Sequence, residues 1–203
     1  DNTIAYQTPA FSGLQAAALY SFKADSKKDT TSRENSAAAD RYAGAALRYK
    51  AGKAAVVLAG DYTLYSNTTY KNQDNGYSVI LGGNYDFGVA KVFAKATYFD
   101  NQLNYVDSFK LIPDTVALKG WGAELSTAVP AFGGTVIAGV SYRDAEEVQG
   151  DNEYKRWEAA LGYTYAFSKR TNAYAGVTYA QQKAEMKDKD QTPSAVGVMA
   201  GLV

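Results

Sequence analysis

Five times along this chain, a segment of about ten residues alternates apolar side chains with small or polar ones, turns tightly and alternates back. A long polar connection follows each such pair. Tyr163, Tyr165, Ala173, Ala175, Val177 and Tyr179 fall on one parity of such a pair, and Thr164, Asn172, Tyr174, Gly176 and Thr178 on the other. Successive side chains of a strand point to opposite sides, so the pattern describes a sheet with one greasy and one wet face. Segment length then decides the setting. Strands of ordinary globular proteins run about five or six residues, whereas a strand tilted across a bilayer takes roughly nine to eleven. The alternation predicts an all-β chain belonging to a transmembrane, antiparallel up-and-down β-barrel.

Hydropathy alone misses such a chain. No stretch reaches the roughly eighteen consecutive apolar residues of a membrane helix, but a barrel shows lipid only every second residue. Composition removes other classes. Lys and Arg number 21 against 21 Asp and Glu, so nothing favours a nucleic-acid partner. Cysteine is absent, which excludes disulfides and zinc–thiolate sites. Histidine is absent too, and with it Ser-His or Cys-His catalysis, His-bound metals and histidine pH switching. No enzyme activity, cofactor or metal is therefore expected. Seventeen tyrosines against four prolines favour extended structure with rings at interfaces. The chain starts at Asp1 with no start methionine or signal segment, as expected of a processed protein or a fragment.

The periodicity predicts eleven strands, over 2–8, 14–24, 40–50, 54–65, 76–86, 89–99, 118–128, 134–143, 154–166, 172–182 and 194–203. Their connections alternate between two classes. Short turns carry Phe11-Ser12-Gly13, Ala51-Gly52-Lys53, Phe87-Gly88, Phe132-Gly133-Gly134 and Phe167-Ser168-Lys169-Arg170. Long polar connections cover about 25–39, 66–75, 100–117, 144–153 and 183–193. Short turns on one side and long loops on the other are what an outer-membrane barrel requires, and a soluble meander has no cause to sort them. Ala10-Phe11, Ala131-Phe132 and Ala166-Phe167, with Asp86-Phe87 as a variant, repeat weakly at the short turns.

On the apolar parity, strand middles are aliphatic or small, as at Val56, Leu58, Val92, Ala94, Leu125, Val140 and Leu161. Aromatic residues gather toward the ends. Tyr20, Tyr98, Trp121, Tyr142, Trp157 and Tyr179 mark the long-loop rim, and Tyr6, Tyr49, Tyr85 and Tyr165 the short-turn rim. Two aromatic belts around an aliphatic band are expected at headgroup depth; a sandwich core would place its rings at strand centres. Arg41, Lys119 and Lys155 are the cations on this parity, all at strand ends leading from long loops, where a charge costs little. They are candidate contacts for lipopolysaccharide phosphates, in addition to the ordinary lipid of the bilayer.

The opposite parity is largely small or polar, as at Gln15, Ser78, Gly82, Gly122, Ser141 and Gly162, with Ile80 and Phe93 as locally packed exceptions. Small barrels fill their lumen with bulky side chains, so these residues point to a wide, wet conduit. Candidate lining charges are Arg48, Asp61, Lys91, Lys95, Glu124, Arg143, Arg156 and Glu158; Lys23 and Lys50 share the parity nearer the rims. Charged rings select the opposite ion. The cationic excess leans toward anions, and ordinary solvated wall charges that pair off are the competing reading.

Asp1-Asn2-Thr3-Ile4-Ala5-Tyr6-Gln7-Thr8-Pro9-Ala10-Phe11-Ser12-Gly13-Leu14 resembles the strand and turn after the constriction loop of Gram-negative general porins of the β-proteobacterial and neisserial type. Gly162-Tyr163-Thr164-Tyr165-Ala166-Phe167-Ser168-Lys169-Arg170-Thr171, running on to Tyr179, resembles their late hairpin. The resemblance covers essentially the whole chain. It implies a sixteen-stranded, normally trimeric barrel narrowed by its third external loop. The present strands would map to the sixth through sixteenth, with the constriction loop lying upstream. The family's terminal aromatic is not matched by Leu202-Val203. A single, incomplete barrel domain over 1–203 is the expectation.

The function these readings favour is passive diffusion of small hydrophilic solutes and ions across the outer membrane of a Gram-negative bacterium, with an anion lean. Homotrimers are expected of the full-length protein. The alternative is a barrel acting mainly as an adhesin or surface receptor through its long loops. Asn67-Thr68-Thr69 matches a glycosylation sequon, a chemistry not expected in this compartment, and the charge run at 187–190 is read as solvated.

Overall fold

The computed structural model describes residues 2–24, 33–67, 73–103, 108–113, 116–187 and 189–203. Asp1, Thr68, Thr69, Asp188 and parts of three long connections lie outside the described residues. Eleven strands follow in chain order: β1 (Thr3–Gln7), β2 (Leu14–Ser21), β3 (Arg41–Ala51), β4 (Ala54–Leu64), β5 (Gly76–Asp86), β6 (Lys91–Gln102), β7 (Leu118–Ala131), β8 (Gly134–Glu147), β9 (Glu153–Ser168), β10 (Thr171–Glu185) and β11 (Ser194–Leu202). They form one open sheet in which each strand pairs antiparallel with its neighbours in sequence, and β1 and β11 are its edges.

Turn chemistry fixes this meander locally. Ser12 (φ 49°) with Gly13 (φ 84°) and Phe132 (φ 52°) with Gly133 (φ 77°) occupy the left-handed region at both central positions. Such turns carry a twist that matches the flanking strands. Gly13 is held there by close approach as well, since an added Cβ would lie 2.2 Å from the Lys50 carbonyl oxygen. At the β5–β6 turn, Asp86 Oδ1 accepts a hydrogen bond from the Gly88 amide at 2.7 Å. Carboxylates favour turns through this kind of local bond.

One predicted long connection is absent. Residues 144–147 continue β8 and β9 begins at Glu153, leaving only 148–152 between them. Their alternation was masked because charged residues occupy both parities: Asp144, Glu146 and Glu147 surround Ala145. Extended pairing across Leu118–Glu147 and Glu146–Glu153 satisfies the backbone instead.

No second layer covers the apolar face among the described residues. Val56, Val140 and Leu161 remain 47%, 56% and 53% exposed, in company with Leu58, Leu81, Leu125 and Val177. A contiguous apolar surface of this extent needs a non-aqueous neighbour, and hydrocarbon supplies it. What buried core there is lies on the opposite face. Phe99, Ile112, Leu118, Ala145, Tyr154 and Ala184 form one cluster; Tyr65, Leu103 and Ala117 form a smaller one.

Candidate functional site: the polar face

Because strands pair without interruption from β3 to β10, the side chains of this face fall into rows that run across the sheet. Arg48, Val57, Gly82, Lys95, Glu124, Ser141, Glu158 and Ala180 are successive partners in one row. Four of the predicted lining charges thus share a register line. Lys95 Nζ and Glu124 Oε2 lie 2.9 Å apart, both side chains about half exposed. A pair so open to water contributes only about 0–1 kcal/mol, and both charges remain accessible to solvent.

The neighbouring row toward the long connections contains Thr97, Gly122, Arg143, Arg156 and Gln182. Arg143 and Arg156 face each other directly across β8 and β9, an arrangement that costs energy unless other groups intervene. Here they do. Arg156 Nε donates to Glu158 Oε1 at 2.8 Å, and Arg143 Nη2 to Gln182 Oε1 at 3.4 Å. Arg156 Nη1 also donates to Ser108 Oγ at 2.8 Å, and its guanidinium lies 5.3 Å from the centre of the Phe109 ring. Its side chain is only 15% exposed.

A third row is apolar. Phe99, Gly120, Ala145, Tyr154 and Ala184 are successive partners across β6 to β10. Ile112 is buried among them, while Leu111 and Val116 of the β6–β7 connection and Met186 pack against the group. Leu118 and Tyr154 are fully buried. Burying such side chains is worth about 1.5–3 kcal/mol each. Tyr154 Oη donates to Glu147 Oε1 at 2.8 Å, and Asn152 Nδ2 donates to the same oxygen at 2.9 Å, which closes the β8–β9 end.

The remaining predicted lining residues lie elsewhere on this face. Asp61 sits between Gly44 and Ser78 in the extension of the apolar row, and accepts a hydrogen bond from the Ser78 hydroxyl. Lys91 pairs with Asp86 and Ala128 near the short turns, its ammonium 5.1 Å from the Phe93 ring centre.

On the opposite face, Tyr98, Trp121, Tyr142 and Trp157 are exposed, with Tyr20 and Tyr179 partly so. Ring contacts link Trp121 with Tyr142 (5.5 Å) and Trp157 with Tyr179 (4.9 Å). Beyond them the longer strands add Glu146, Glu153, Lys183 and Glu185, which the predicted strand ends left out. Lys119 pairs with Glu146 at 3.1 Å, Lys155 with Glu153 at 2.9 Å, and Lys183 with Glu185. Arg41 shares this face but keeps its Nε buried, with no hydrogen-bond partner among the described residues.

The apolar row was missed at the sequence level, although a signal existed. Phe99, Leu118 and Tyr154 are large residues on a parity that is otherwise small, and all stand at strand ends facing the long connections.

Residues 1–185 match the family described as Gram-negative porin. An outer membrane porin protein of Bordetella pertussis is 33% identical over 98% of the chain, and the chain spans 56% of that protein's length. An anion-selective porin from Comamonas acidovorans superposes with a TM-score of 0.62 at 22% identity, covering 99% of this chain and 59% of that one. OmpT of Vibrio cholerae, folded in vitro and described in a trimer form, superposes with a TM-score of 0.62 at 16% identity, over 98% of this chain and 64% of that one. These likenesses concern the fold of an uninterrupted barrel wall. The chain belongs to the Gram-negative porin family of the outer membrane.

Proposed function

We propose that the protein to which this chain belongs is a channel for passive diffusion of small hydrophilic solutes and ions, with a preference for anions, and that it works as a homotrimer. One observation carries the reading. Among the described residues a single sheet leaves its apolar face uncovered, while its other face holds Arg48, Lys95, Glu124 and Glu158 along one register line with Val57, Gly82, Ser141 and Ala180. A wall greasy on one side and charged on the other separates hydrocarbon from water. Transport then needs no chemistry, only width and lining charge.

The anion preference rests on the excess of Lys and Arg over Asp and Glu on that face, in company with the likeness to a porin whose name records anion selectivity. The trimer rests on a structural relative described in that form. Planar-bilayer recording of the full-length protein tests the reading. Stepwise ohmic currents, with a zero-current potential in a KCl gradient that favours chloride, are expected. Intact trimers that pass no current would refute the channel.

A further inference from the structure

Fully buried side chains are out of place on the wet face of a one-layer sheet, since nothing from the sheet itself can cover them. Leu118, Tyr154 and Ala184 are nevertheless sealed from water. Their cover is the β6–β7 connection: Ile112 is buried within the cluster, and Leu111 and Val116 rest against it. The same connection is gripped from the next row, where Arg156 donates to Ser108 and lies over Phe109. Two independent fastenings, one apolar and one polar, therefore hold residues 108–112 against the polar face of β6 to β10.

We infer that residues 108–112 form a fixed shelf on the inner wall that narrows the conduit, and that Arg156 is the positioning residue that holds it rather than a selectivity charge. This inference rests on the channel reading. The division of labour follows from exposure and partners. Arg156 has its guanidinium engaged by Glu158, Ser108 and Phe109 and is mostly covered. Lys95 and Glu124, one row further from the long connections, are half exposed and meet only each other among the ion pairs described. Solute passing the shelf would next encounter Lys95 and Glu124. Arg suits the fastening role, because a planar fork can stack on a ring while donating in its own plane, which an ammonium cannot do.

The test uses the full-length protein carrying Arg156→Ala, Arg156→Lys or no change, each with Ile112→Cys as a reporter; the present sequence contributes no other cysteine. A maleimide reagent added from the loop side reads shelf docking, and single-channel conductance reads width. Arg156→Ala should label about tenfold faster, the ratio carried by one lost hydrogen bond to a charged group, and should raise conductance. Arg156→Lys should behave like Arg156→Ala in both, because it restores charge without the fork. Rescue of both readouts by Arg156→Lys would show that charge alone matters and would overturn the positioning role. Unchanged labelling in Arg156→Ala would overturn the fastening. Labelling that accelerates while conductance stays unchanged would overturn the narrowing. A parent protein that conducts nothing refutes the channel itself, whereas the labelling ratio still reports on docking.

Discussion

The two halves of the sheet are built differently. Strands β2 to β5 run 8–11 residues, and the middle of their polar face carries small, half-buried residues, Ala17, Gly44, Ala46 and Ala59, with burial confined to the long-connection end at Ser21, Gly76 and the adjoining Tyr65. Strands β6 to β10 run 12–16 residues, and their far ends are roofed by 108–112. Strand length beyond what a bilayer needs therefore has a use. The extra residues carry the wall past the membrane and give a connection something to dock on.

The sharpest way to break this contrast is at the buried cluster. Leu118→Ala should cost about 2–5 kcal/mol, the range for a sealed aliphatic side chain that leaves a cavity. Leu81→Ala, on the uncovered face of β5, loses no enclosed packing and should cost clearly less. Urea unfolding from lipid vesicles compares them, and equal losses would mean the roof confers no enclosure. Val140→Arg should cost about 2–4 kcal/mol, as expected for a cation near the bilayer midplane. The same substitution at Gln181, beside the ion-paired end of β10, should cost little. A cheap Val140→Arg would argue against hydrocarbon on that face.

Backbone crowding offers a subtler contrast. A Cβ at Gly120 would meet the Asp144 carbonyl oxygen at 2.1 Å and the Ala145 Cα at 2.8 Å, whereas at Gly162 the nearest atom is 3.5 Å away. Gly120→Ala should therefore destabilise by about 1–3 kcal/mol, as overpacking does, with Gly162→Ala near neutral in the same unfolding assay. Lys95→Gln and Glu124→Gln should move the zero-current potential in opposite directions, toward cations and anions respectively, with little change in stability. A common direction would show that these charges do not face the ion path. The smallest effect concerns lipid. Each of Lys119 and Lys155 already has a carboxylate beside it, so charge reversal of Arg41, Lys119 and Lys155 together should reduce lipopolysaccharide co-purification only partly. No reduction at all would remove these residues as headgroup contacts.

How much of this was legible beforehand depends on whether the cause is local. Alternation and turn residues are local, so the eleven strands and their order could be read directly, and Ala51-Gly52-Lys53 or Phe132-Gly133 mark reversals by backbone requirement alone. The charges proposed to line the conduit share a parity that the residues alone display, and their common row needed the register of six pairings. Residues 108–113, Ser-Phe-Lys-Leu-Ile-Pro, have no period of either kind. Their position is set by Phe99, Tyr154 and Arg156, which lie up to 48 residues away. Tertiary burial of that sort leaves no signature in a short window. The end of β8 failed for a different reason: Asp144, Glu146 and Glu147 look like a loop unless the barrel wall is known to rise beyond the hydrocarbon.

The phenylalanines at the short turns bring a last consequence. Phe11, Phe87, Phe132 and Phe167 all stand exposed at that end of the sheet, Phe132 at 91% despite its left-handed backbone. At the other end stand the lysine–glutamate couples of β7 to β10. Sliding the wall toward the short turns would drag the ions into oil and push these phenylalanines out into water, and sliding it the other way would lift Tyr98, Trp121 and Trp157 of the far rim above the headgroups. Opposed penalties of this kind work as a depth gauge, seating the sheet vertically without any lipid being recognised individually.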